Sequence, residues 1–280
     1  MSVQDWTPDF LKASPLFEPL RTIGVDSRLE KLSYWPDFTA LTHLIGCSSR
    51  KIVTRSGKSV RFVPQKKSVC EFEAQYEARI YLTGEVQTRL NNWHDLFNAL
   101  VWITFPNTKA QLNQLHYQAL KQEWRTGNKQ RGPLRDAATC FDESGVVVVC
   151  SDNNLIELLK NFEWKALFWA QRAALVERMK FFIFGHGLYE KALNPYVGMT
   201  GKGIVLSVTG DFFSQSLSVQ LDAIDIMLVD FMRQHLATTA DLTPVPVLGY
   251  PGWSSSNADE TYYDNRHYFR PRPSTSTPSS

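Results

Sequence analysis

The residues best suited to chemistry fall in two stretches. In WHDLFNALVWITFPNTKAQLNQLH, His94 and Asn98 stand four apart and so share one face of a helix with Trp102. On the helix that follows Pro106, Lys109, Asn113 and His116 or Tyr117 align in the same way. Two consecutive helices would then aim hydrogen-bonding groups into one cleft. A buried amide or imidazole left without a partner costs about 1–3 kcal/mol. These groups therefore either line a ligand pocket or satisfy one another as an interhelical network, and the spacing admits both.

The second stretch is FGHGLYEK, where His186 and Glu190 are four apart with Lys191 beside them. That spacing lets an imidazole and a carboxylate converge on one ion or one substrate proton, although it is less specific than HExxH. A third group is Arg135-Asp136 followed by Asp142-Glu143. Neighbours on a helix face different ways, so Arg135 and Asp136 do not share a site without loop geometry. Asp142 reads as a turn residue whose short side chain bonds local backbone.

Together these residues define an expected enzyme pocket. His94, His116, Asp136, His186 and Glu190 would carry acid–base catalysis, since imidazoles titrate near neutrality and carboxylates orient them. Asn98, Lys109 and Asn113 would bind substrate, with Lys109 holding an anionic group of a phosphorylated or nucleotide-like molecule. Among the same residues, His94, His186 and Glu190, with His116, are of types that ligate zinc or iron, but no spacing specifies a cofactor.

A competing reading is a non-catalytic module that binds RNA or a protein. It would use the segment Arg50 to Lys67, with seven basic and no acidic residues, the loop GNKQRG, and the aromatics Tyr262, Tyr263, Tyr268 and Phe269 beside Arg266 and Arg270. The plainer account of the basic segment is a lysine-protected sheet edge, and of the aromatics a segment packed on the core. Phosphate-binding glycine loops, dinucleotide fingerprints, nucleophile elbows and paired CxxC motifs are all absent.

The elements that must position these groups are mostly helical. Apolar spacing predicts helices over about 91–103, from Pro106 to about Trp124, over Pro133–Phe141, across 152–175, over Phe181–Leu193 and over Leu217–Leu236. Residues 51–63 alternate around Ser56-Gly57 and predict a β-hairpin. Gly145–Cys150 reads as a buried strand and Gly203–Val208 as another, while 244–270 drapes over the surface. The expected fold is α+β, predominantly helical, with a small sheet including the hairpin. One compact domain would span 1–270, ahead of a disordered Ser/Thr/Pro tail at 271–280.

The whole chain sets further bounds. With 43% hydrophobic residues over 280 positions it can build a full core, and a net charge of +2 predicts no strong overall pull toward nucleic acid or anionic membrane. Cys47, Cys70, Cys140 and Cys150 show no metal-type pairing and read as reduced thiols. No signal peptide or bilayer-length apolar run is evident, so a cytoplasmic protein is expected; the oligomeric state is open.

The strings WHDLFNALVWITFPNTK, RDAATCFDESG, FGHGLYEK and LGYPGW with YDNRHYF resemble a proteobacterial family catalogued as domain of unknown function 3025, over about residues 70–270. The resemblance implies a bacterial, cytosolic, single-domain protein. It implies no reaction, cofactor or catalytic residue.

Overall fold

The computed structural model describes residues 5–27, 29–66, 71–127 and 130–272. Cys70, Lys67, the centre of the GNKQRG loop and the expected tail from Pro273 onward lie outside them. The first fifty residues form short helices, α1 (Phe10–Ala13), α2 (Glu18–Ser27) and α3 (Phe38–Cys47), separated by turns at the prolines. Their apolar anchors, among them Phe10, Phe17 and Leu20, are fully buried in one contiguous core that reaches to Phe269.

At Ser56-Gly57 the chain reverses tightly, Gly57 taking φ of 81° and Val60 N–H donating to the Ile52 carbonyl at 3.0 Å. The antiparallel pairing is brief, a single bridge between Val53 and Ser59. The regular strand that follows, β1 (Arg61–Pro64), instead pairs in parallel with β2 (Glu85–Thr88), the two joined by a crossover through α4 (Tyr76–Thr83). Two-residue turns cannot join parallel strands, which is why a helix intervenes.

Two long helices come next. Asn92 caps α5 (Trp93–Thr104) by accepting from Asp95 N–H at 3.0 Å. Pro106 opens α6 (Pro106–Thr126), whose first free amides, Asn107 and Thr108, donate to Asp225 at 3.0 and 2.8 Å. Asp225 comes from the helix Leu217–Gln234 and is fully buried, so a carboxylate more than a hundred residues away fixes where α6 begins.

The helix α7 (Pro133–Ser144) runs directly into β3 (Gly145–Cys150), so Asp142 and Glu143 sit in its last turn rather than in a separate turn. All six residues of β3 are buried, as their apolar character demands. Beyond it come α8 (Asn153–Lys160), a π-helical turn at Ala166–Ala170, and α9 (Arg172–Arg178). The helix expected over Phe181–Leu193 divides in two. Its first part is β4 (Met179–Ile183), which pairs antiparallel with β3, Phe182 opposite Val147; α10 (His186–Ala192) begins only after Gly185. An apolar run of four or five residues satisfies either period, and pairing with a fully buried strand decided for the sheet.

The strand β5 (Thr200–Ser207), the amphipathic α11 (Leu217–Gln234) and β6 (Thr243–Pro246) complete a mixed sheet of order β4-β3-β5-β6. The fold is α+β and predominantly helical. Residues after β6 drape over the core in 3-10 turns with Tyr263, Tyr268 and Phe269 buried beneath them. Among the described residues no helix is long and apolar enough to cross a membrane.

Candidate functional site

Helices α5, α7 and α10 meet at the end of the sheet where β3 begins and β4 ends. Their approach is closest at Gly185-His186-Gly187. A Cβ on Gly185 would lie 2.4 Å from Gly145 N and 2.5 Å from Ser144 N, and one on Gly187 2.5 Å from Glu143 Oε2. Only glycine lets α10 rest its first turn directly on the end of α7, and that contact sets His186 beside Glu143.

The polar groups at this junction converge. His94, from the first turn of α5, has Nδ1 3.0 Å from Glu190 Oε2 on α10, which leaves Nε2 turned toward Glu143 Oε1 at 3.8 Å. His186 places its own Nε2 3.5 Å from the same Glu143 oxygen and its Nδ1 3.8 Å from Asp142 Oδ2. The two imidazoles lie edge to face with ring centres 4.5 Å apart. Hydrogen bonding to His186 and the two nearby imidazoles hold the Glu143 carboxyl below its ordinary range, against the opposing effect of burial.

Behind them runs a chain of hydrogen bonds, buried at Lys109 and Asn98. Lys109 Nζ donates to Asp142 Oδ1 at 2.6 Å and to Asn98 Oδ1 at 2.9 Å, and Asn98 Nδ2 donates to the Tyr76 hydroxyl at 3.0 Å. Burial works to raise the Asp142 pKa, yet Lys109 and the imidazoles of His186 and His116 outweigh it and hold the carboxyl below its usual value. Burial pushes the Tyr76 phenol well up, with the neighbouring Glu77 and Asp142 adding to it, so it stays protonated.

These groups line a cleft of about 400 Å³ bounded by Gln65, Tyr76, Arg89, His116, Arg131 and Thr139 as well as the central residues. On its floor, Asn113 Nδ2 donates to the carbonyl and carboxylate of Glu77 at 2.9 and 2.8 Å. Asn113 Oδ1, His116 Nδ1 and His186 Nδ1 are buried without a hydrogen-bond partner among the described residues.

Of the residues expected from sequence, His94, Asn98, His116 and His186 line the cleft. Glu190 buttresses His94, and Lys109 and Asn113 lie in its floor beside His116 and Asp142. Asp136 does not join them. It lies one face away on α7, its side chain 51% exposed and paired with Arg131 at 3.1 Å. Lys109 is not free to hold an anionic ligand, because Asp142 and Asn98 already occupy its ammonium. The network alternative is thus realised for Asn98 and Lys109 and not for the unmatched atoms of Asn113 and His116.

Sequence reasoning passed over Tyr76, and it singled out Asp142-Glu143 only as a turn rather than as part of the cleft. Tyr76 carried no signal. For Asp142 and Glu143 the available sign was their position immediately ahead of the buried strand Gly145–Cys150, where a helix end has to meet the sheet.

In the basic segment of the competing reading, Lys51, Lys58 and Lys66 are exposed, whereas two of the arginines are paired. Arg50 turns inward to Asp222 at 2.8 Å and Asp225 at 3.4 Å, and Arg61 pairs with Glu85 at 2.6 Å.

A helical α+β scaffold with a histidine–carboxylate centre at the end of its sheet is therefore the class of protein in hand. Residues 60–273 match the model of a protein family of unknown function, DUF3025, and the chain belongs to that family. The match includes every residue of the cleft described above. No curated protein and no solved structure matches the chain.

Proposed function

We propose that the protein is an enzyme, a hydrolase whose catalytic centre is the cleft between α5, α7 and α10. The observation that carries this reading is the convergence of three Lewis-basic atoms, His94 Nε2, His186 Nε2 and Glu143 Oε1, on one point at the cleft wall. Such a point holds and polarises the attacking water, and the water's proton passes to this basic group as its oxygen bonds to the substrate. Across the cleft, the Tyr76 hydroxyl accepts from Asn98 and keeps its own proton, which suits it to donate to the oxygen on which charge develops. Glu190 fixes the ring orientation of His94.

Charge at the cleft bears on the substrate. The cations at hand are matched, Lys109 with Asp142, Arg89 with Asp95 at 2.8 Å and Arg131 with Asp136. A phosphorylated or nucleotide-like substrate, expected from Lys109, therefore finds less support than a neutral ester or amide. The test is turnover of a panel of chromogenic esters, amides and phosphoesters by the purified protein. Hydrolysis of at least one class is expected; failure of every class under varied pH would overturn the reading.

A further inference from the structure

Resting on that reading of the cleft, we propose that the protein binds one divalent transition-metal ion of the zinc or ferrous type through His94 Nε2, His186 Nε2 and the Glu143 carboxylate. Donor atoms of these three residues all lie within 4.8 Å of one another. Ligands about 2.0–2.1 Å from a tetrahedral ion stand roughly 3.3 Å apart. The separations of 3.5 and 3.8 Å from Glu143 Oε1 to the two imidazole nitrogens are close to that spacing.

Independent features point the same way. A metal-ligating imidazole ordinarily gives its second nitrogen to a carboxylate. Glu190 stands in that position for His94 at 3.0 Å, and Asp142 faces the unpartnered Nδ1 of His186 at 3.8 Å. Gly187 provides the space in which the Glu143 carboxylate lies, because a Cβ there would meet Oε2 at 2.5 Å. Charge agrees as well. While Lys109, Arg89 and Arg131 each have a carboxylate partner, Glu143 and Glu190 pair with no lysine or arginine among the described residues. A doubly charged cation would balance them.

The donor set differs from the trio expected from sequence in that Glu143 is the ligand and Glu190 the support. Three protein ligands beside an open cleft leave a coordination position for water, as in catalytic rather than structural zinc sites. The ion would occupy that point of convergence and hold the hydrolytic water on its cleft-facing side, where lowering the water's pKa would replace direct proton uptake by the three donors.

The experiment is calorimetric titration of zinc, and separately of manganese, into the full-length protein freed of metal by chelation and carrying no affinity tag. One equivalent of zinc binding saturably is expected. The variants His186→Ala and Glu143→Gln should abolish it, and Glu190→Gln should weaken it about 10–100-fold while leaving the stoichiometry at one. His235→Ala, at the residue that follows the end of α11, should bind as wild type. Circular dichroism identifies any variant that fails to fold, and the near-isosteric Glu143→Gln keeps the test available should His186→Ala do so. Absence of saturable binding of either ion, or one-equivalent binding that survives both His186→Ala and Glu143→Gln, would overturn the metal site. Hydrolysis retained by metal-free protein would defeat this inference and leave the proposed function standing.

Discussion

Replacing Lys109 with methionine removes the lysine that compensates the Asp142 carboxylate deep in the cleft floor. The Lys109 side chain is 5% exposed and that of Asp142 18%, and their 2.6 Å contact is reinforced by Asn98. Methionine preserves the volume of the stem against Trp102, over whose ring Nζ sits 5.5 Å from the centroid. The loss is therefore electrostatic. Removing one partner of a buried pair costs about 3–5 kcal/mol, because the other charge stays buried without compensation. In thermal unfolding this corresponds to a fall in Tm on the order of 10 °C. The control is a double-mutant cycle: Lys109→Met combined with Asp142→Asn should be less damaging than the sum of the single changes by roughly 2 kcal/mol. Strict additivity, or a single-variant loss under about 1 kcal/mol, would refute the account of the floor as a coupled ion pair.

Other outcomes follow from the junction and from the surface. Gly185→Ala should destabilise by about 1–3 kcal/mol, since its Cβ meets backbone atoms at 2.4–2.6 Å that cannot give way. Gly187→Ala should cost less stability in chemical denaturation than Gly185→Ala, because its closest Cβ contact is the movable Glu143 carboxylate and the Glu143 carbonyl oxygen follows only at 3.0 Å, while lowering catalytic turnover. Glu85 feels burial raising its pKa, yet hydrogen bonds from Arg61 and Arg79 hold it below the ordinary glutamate range. Its contribution is thus present above the unfolded-state value and lost as pH falls through the lower folded value. Glu85→Gln should accordingly flatten the acid limb of a stability–pH curve below about pH 4.5. Charge reversal at Lys51, Lys58 and Lys66 should not alter retention on single-stranded RNA at low salt; a salt-sensitive loss would favour the binding-module reading instead.

Much of the scaffold was legible in the sequence because its signals are local. Pro106 starts a helix, and four valines in a row make a buried strand. The site was legible only where both partners lay on one element or on adjoining helices, as for His94 with Asn98 and His186 with Glu190. Its remaining geometry depends on tertiary contacts. Glu143 joins His94 and His186 because Gly185 and Gly187 allow two helices to touch, and Asp142 leaves its expected turn because Lys109 reaches it from α6. Asp136 faced the wrong way for a reason the helix period already contained: it lies six residues before Asp142, about 600° around the axis and so well off its face. The strand at Met179–Ile183 was hidden because Phe181, Phe182 and Ile183 suit either period until β3 is available to pair with them.

The most direct test of the central claim is the ratio of kcat/KM between wild type and Glu143→Gln on whichever substrate class the protein hydrolyses. The change alters one atom type at the point where His94 and His186 converge, and circular dichroism checks that the variant keeps its fold. A fall of about 100-fold or more, carried by kcat, is the predicted result for a group that acts on the attacking water. Wild-type turnover by folded Glu143→Gln would contradict the assignment of this cleft as the catalytic centre.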